Sequence, residues 1–196
     1  MQGLVNRAVE RFVRDSHGDE AWRGIMARLD LGYGEFEAML NYDPEITARL
    51  LEEVAAALDR PEAEVLEDIG TYLVTHPNTA AVRRLLRFGG DTFEEFLHSL
   101  EDLPGRARLA LPDLALPPLD LTQHRGDQYT LSVGGARDMA GGFGHVILGL
   151  LRALADDYGA LAVLEHKGGG GSERIGITLA ALDHSQGRDF SLGAAP

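Results

Sequence analysis

Four of the eight prolines, Pro104, Pro112, Pro117 and Pro118, fall within fifteen residues of one another. Proline fixes φ and carries no N–H, so a run of this density interrupts helices and sheet ladders alike and reads as a stiff, extended connection. The sequence on its two sides differs in period. Ahead of it apolar residues recur at helical spacing, and behind it they alternate. The fold must therefore accommodate a helical part, residues 1–105, a connection at 106–118, and a mixed part, residues 119–196.

In the helical part, Leu4, Ala8 and Phe12 set the first stripe, with Gly18 closing that segment, and Trp22, Ile25, Met26 and Leu29 continue it in a second helix. The aromatic, turn-rich YGEFEAMLNYDP reads as an irregular connector. Pro44 suits the first turn of a helix carrying Ile46, Leu50, Leu51, Val54 and Leu58, because the missing N–H has no intrahelical partner there. Asp59-Arg60-Pro61 ends that helix and starts another, which His76-Pro77 closes. A helix through Leu85 and Leu86 runs to Gly89-Gly90. The next starts near Asp91-Thr92 and presents Phe93, Phe96, Leu97, Leu100 and Leu103, with Pro104 ending it and Gly105 supplying a turn.

Beyond the prolines, Tyr129 to Val133 alternates like a strand, Phe143 to Tyr158 is an amphipathic helix, and Leu161 to Glu165 and Ile175 to Ala181 are strands. His166 and the glycines at 168 to 171 fall to the loop between the last two. The glycine run lacks the Lys-Ser/Thr ending of a phosphate-binding loop. Helices followed by strands that enclose one helix specify an α+β fold with an antiparallel sheet.

Composition removes several functions. Cysteine is absent, so thiolate metal sites and cysteine nucleophiles are excluded. The formal charge of −13 argues against a nucleic-acid partner. Arg83, Arg84 and Arg87 form a cationic cluster that reads as a solvated face. Charges interrupt the first residues, and no run approaches the length of a membrane span, so a cytoplasmic protein is expected. No nucleophile elbow or dinucleotide fingerprint occurs, and the paired acids alternate faces, so no enzyme activity is expected.

Several stretches resemble the H-NOX (heme nitric-oxide/oxygen-binding) family in colinear order: MQGLVNRAVERFV with HGDEAW, PEAEVLEDIGTYLV, FEEFLHSLEDLPGRARLALPDL and VILGLLRALADDYG. The resemblance implies one H-NOX-like domain over 1–196 and heme b as cofactor. In that family a histidine in Leu-His-x-Arg donates to the iron. Matching Leu103 and Arg106 to this pattern puts Pro104 in the histidine's place, and an amide nitrogen whose lone pair is delocalised cannot coordinate iron. The family's Tyr-x-Ser-x-Arg grip on the propionates is reduced here to VGGAR, in which Arg137 alone matches. Leu73 and Val146 correspond to the gas-binding side, both apolar, which favours nitric oxide over oxygen if iron is present. Leu97 would line the same cavity.

Of the seven histidines, His98 is placed on the helix of Pro104 but on another face, while His124 and His166 fall in loops. His17 and His184 carry no pattern. His145 and His76 stand near the resembling cavity residues and are open to three readings: a replacement iron ligand, a contact to a bound anion, or an ordinary histidine satisfied by its neighbours. Three functions remain open. The first is a sensor for a small hydrophobic or gaseous ligand without histidine-ligated heme, read by a histidine kinase or a cyclic-di-GMP enzyme as the resemblance implies. The second is a nitric-oxide sensor with heme on His145 or His76. The third is a ligand-free module that docks a partner.

Overall fold

The computed structural model describes residues 2–110, 114, 116–134, 142–169 and 172–180. Helix α1, Gln2–Leu29, is broken at Gly18, whose φ of +88° is a left-handed conformation that side chains resist. After an irregular segment, α2 (Pro44–Leu58) starts with Pro44 in its first turn, and the Asp43 side chain accepts from the Glu45 N–H. Helix α3 (Glu62–Thr75) follows directly, then a 3₁₀ turn at Pro77–Thr79 and α4 (Ala80–Arg87). Thr92 and Glu95 form a reciprocal capping box at the start of α5, Phe93–His98.

The region around Pro104 differs from the reading above. Helix α5 stops at His98, a 3₁₀ turn spans Ser99–Asp102, and a new helix, α6, runs from Leu103 to Ala110. Pro104 thus stands in the first turn of a helix instead of ending one, and Gly105 lies inside α6. The physical reason is the one already applied to Pro44: the first turn makes no use of the N–H that proline lacks. His98 and Pro104 consequently sit on different helices, and the stretch from 106 to 110 is helical, so the extended connection starts later than the prolines suggest.

The sheet has strand order β1-β2-β4-β3, built from Leu119–Gln123, Gln128–Val133, Ser172–Leu179 and Ala162–Gly169, with every neighbouring pair antiparallel. Strand β1 carries little alternation and was not legible in advance. Strand β3 runs on through His166, which therefore belongs to the strand and not to the loop. Helix α7, Phe143–Tyr158, has the limits its amphipathic pattern predicts.

Two cores result. Val9, Phe12, Trp22, Ile25, Leu50, Val54, Leu66, Ile69 and Val146 pack together among the N-terminal helices. Phe93, Phe96, Leu97, Leu100, Leu103, Leu131, Val133, Ile175 and Ile177 form the second with the inner face of α7 from Ile147 to Leu154. On the sheet, Tyr129, Leu131 and Val133 point inward while the intervening Thr130 and Ser132 do not, as strand geometry requires. Arg83 and Arg87 are not a purely solvated face. Both pair with Asp157, and the Arg87 guanidinium lies 4.2 Å from the centre of the Tyr158 ring. Among the described residues no helix is long and apolar enough to cross a membrane.

Candidate functional site

Helices α3 and α7 share the most extensive contact of any two elements. Glycines allow it. A Cβ on Gly70 would collide with the Val146 carbonyl, and one on Gly149 with the Glu67 carbonyl. This approach sets Leu73 and Val146 within one core, Leu73 partly and Val146 fully buried. Leu97 belongs to the other core, wholly buried. The structure therefore brings two of the three apolar positions together and separates the third.

At the N-terminal end of α7 the same packing assembles a polar seam. The His145 ring stacks on His166 of β3 at 4.0 Å between centroids and 27° between planes. His145 Nδ1 donates to Glu67 Oε1 at 3.1 Å, and the other Glu67 oxygen takes the Arg152 guanidinium. Glu173 of β4 accepts from the Gly144 N–H at 2.6 Å, which neutralises the positive end of the α7 dipole. His166 Nε2 faces Glu173 Oε1 at 3.6 Å, and both atoms are buried without a hydrogen-bond partner. Burial lowers the His166 pKa below its ordinary value, the neighbouring His145 lowers it further, and Glu173 and Glu67 oppose the shift. Sequence reasoning missed the grouping of Glu67 with His166 and Glu173, because Glu67 lies about a hundred residues before the hairpin that carries the other two.

His76 closes α3 in a second polar group. Its ring stacks on Tyr72 at 4.9 Å, and its Nδ1 accepts from the Asn78 N–H at 3.3 Å. The same Nδ1 lies 3.6 Å from Asp15 Oδ2. Asp15 on α1 accepts from the Tyr72 hydroxyl at 2.5 Å and from Asn78 Nδ2 at 2.9 Å. These donors hold the Asp15 carboxyl below the usual carboxylate range. Burial, and then the bond to Asp15, pushes the Tyr72 hydroxyl up.

Heme requires an axial donor and a grip on its propionates. Pro104 supplies no electron pair, and the buried residues nearest to it in the chain, Leu100, Leu103 and Ala107, are apolar. His145 keeps a lone pair on Nε2 when Nδ1 donates to Glu67, but its ring lies against His166 in the polar seam and not in that apolar interior. Arg137 lies outside the described residues. Among the described residues no group of three or more histidine or acidic side chains could hold a metal ion. Where the resemblance puts the family's histidine, Pro104 itself offers iron no donor. Elsewhere, an open depression of about 400 Å³ is lined by Arg23, Met26, Ala27 and residues 30 to 34, none of which the sequence had nominated.

A set of helices packed on a four-stranded antiparallel sheet, with α3 and α7 each contributing to both cores, defines an α+β fold. The chain belongs to the Haem-NO-binding family, whose sequence model matches residues 2–166. It is similar to an H-NOX protein from S. oneidensis solved in its Fe(II)NO state, with 18% identity, 92% of this chain and 99% of that one covered, and a TM-score of 0.73. An unliganded Fe(II) H-NOX protein from K. algicida is 19% identical over 92% of this chain and 97% of that one, with a TM-score of 0.74. Among curated proteins, soluble guanylate cyclase 89Db of Drosophila melanogaster is 22% identical over 81% of this chain and 23% of its own length. Soluble guanylate cyclase gcy-31 of Caenorhabditis elegans is 21% identical over 80% of this chain and 22% of its own length. The chain thus spans about a fifth of these two cyclases.

Proposed function

We propose that this domain is a signalling input module of the H-NOX type that takes a small apolar or gaseous ligand without histidine-ligated heme. One feature supports the reading: matching Leu103 and Arg106 to the family's Leu-His-x-Arg pattern puts Pro104, in the first turn of α6, in the ligand's place. Such a switch needs an element with two arrangements that a ligand can tell apart, and α3 and α7, each packed in both cores, are the candidates for it. The relay to a partner such as a histidine kinase or a cyclic-di-GMP enzyme follows from the family. Catalysis is no part of the reading.

The test is an absorption spectrum of the purified chain with added hemin. The expected spectrum is that of free hemin, identical for the parent chain and for His145→Ala and His76→Ala. A Soret band shifted from that of free hemin in the parent chain, and returned to it by His145→Ala, overturns the proposal and assigns the iron to His145, whose Nε2 lone pair is available when Nδ1 donates to Glu67. Native mass spectrometry of the chain from its own cells, searched for any retained small molecule, separates a ligand-binding module from a ligand-free one.

A further inference from the structure

The first turn of α7 lies directly on two side chains of the sheet. A Cβ on Gly144 would stand 2.7 Å from His166 Nε2 on β3 and 2.9 Å from Glu173 Oε2 on β4, so only glycine lets the helix come this near. The turn is fixed there by the Gly144 N–H, which donates to Glu173 Oε2 at 2.6 Å. Beside that bond, His166 Nε2 and Glu173 Oε1 face each other at 3.6 Å, too far for a hydrogen bond, and both atoms are sealed from solvent without a partner.

Such a buried pair is tolerated while His166 is neutral. Burial, and then the neighbouring His145, hold the His166 pKa below its ordinary value of 6.5, against Glu173 and Glu67. The charged groups around the ring are few. On α7, His145 stacks on it at 4.0 Å between centroids, and Arg152 holds Glu67 of α3, which also accepts from His145 Nδ1 at 3.1 Å. On β4 stands Glu173. Glu165 and Lys167, the neighbours of His166 on β3, are exposed and pair with each other. Glu67 is thus occupied by two donors, and the free oxygen of Glu173 stands beyond hydrogen-bonding distance of the ring.

We propose that the first turn of α7 is a proton-operated latch: it seals His166 and Glu173 while His166 is neutral, and a proton on His166 lifts the turn off the sheet. An imidazolium needs water or a close acceptor for its Nε2–H, and it repels a charged His145 stacked on its face. Water reaches Nε2 only if Gly144 moves away, and that movement breaks the hydrogen bond from Gly144 to Glu173. The cores stay closed, because Val146 and the stretch from Ile147 to Leu154, further along α7, are held among buried apolar residues. The sign is fixed by the lowered folded pKa: the sealed arrangement is fully stable above pH 6.5 and weakens as pH falls from there towards the folded value. The latch needs no ligand in the interior and is independent of the proposed function.

The test is an NMR titration of the full ¹⁵N-labelled chain from about pH 8 to about pH 5, following histidine ring signals and backbone amides together. The His166 midpoint is expected below 6.5, and the amides of Gly144, His145 and Glu173 should shift with that same midpoint while the Trp22 indole signal stays in place. Exchange of the Gly144 N–H with solvent should quicken as pH falls through the midpoint, although the intrinsic exchange of an amide slows in that direction. A histidine that is merely buried would not produce this reversal. His145→Gln removes the neighbouring ring charge and should raise the His166 midpoint, whereas His166→Gln should abolish the transition at Gly144. Amide spectra unchanged elsewhere at pH ~8 show that the variants are folded. A His166 midpoint at or above 6.5, a Gly144 amide that does not follow it, or a midpoint that His145→Gln leaves in place overturns the proposal. So does loss of the whole native amide spectrum at that midpoint, which would be global unfolding.

Discussion

Tyr72 is 5% exposed, and its hydroxyl reaches Asp15 at 2.5 Å, tying α1 to α3 through a charge-assisted bond. Replacing it by Phe leaves the ring packing against Phe12 and removes one donor from the carboxylate. A hydrogen bond to a charged group contributes about 1.5–3 kcal/mol, so Tyr72→Phe should cost about that at neutral pH. The pH dependence has a definite sign. Because the folded Asp15 pKa lies below its ordinary value of 3.8, its contribution is fully present above that value and is lost as pH falls through the lower, folded one. Urea unfolding at pH 7 should therefore separate the two proteins clearly, and the difference should shrink below pH ~3.8 as Asp15 takes up its proton. A difference that stays constant down to strong acid would remove Asp15 as the partner that matters.

Two glycines test how the elements are held. Gly149 on α7 meets the Glu67 carbonyl of α3, backbone against backbone, so an added methyl has nowhere to go. Gly105 in α6 has nothing within 4 Å of its would-be Cβ. Gly149→Ala should destabilise by about 2–3 kcal/mol or more through overpacking, while Gly105→Ala should stabilise by about 0.5–1 kcal/mol through helix propensity. Thermal melts of both variants decide it, and the opposite order would mean the α3–α7 approach is looser than described. The same contrast explains what was legible. Helix α7 could be read to the residue, since its apolar stripe and the C-terminal Gly159 are local signals. Pro104 could not be placed, because proline ends one helix and begins the next with equal ease, and its local neighbours do not say which. His166 was assigned to a loop by the glycines after it, although antiparallel pairing with β4 carries the strand through to Gly169. The stacked histidines and their glutamates were invisible for a deeper reason. Nothing local in the sequence pairs His145 with His166, and only the packing of α7 on both α3 and the sheet brings them together. His145 alone was nominated in advance.

At the scale of the whole molecule, α7 serves both cores, with Val146 packed among the N-terminal helices and Ile147 to Leu154 packed with the sheet, and α3 does so too through Ile69 and Val74. This arrangement makes the cooperativity of the fold measurable with a natural probe. Trp22, the single tryptophan, is 1% exposed in the N-terminal core. Leu151 is fully buried in the other core. Leu151→Ala removes buried methyl groups and leaves a cavity, which costs about 2–5 kcal/mol. If α7 transmits that loss, the denaturant midpoint followed by Trp22 fluorescence should fall together with the midpoint followed by circular dichroism, with one transition for each protein. If the halves unfold independently, Trp22 fluorescence should keep its midpoint while the amide signals of β2 and β4 lose theirs. The first outcome is expected, because α3 and α7 touch through backbone at Gly70 and Gly149 and cannot separate by side-chain rearrangement alone. The same rigidity would let a change at one core reach the other, which is the property a sensor of this architecture needs.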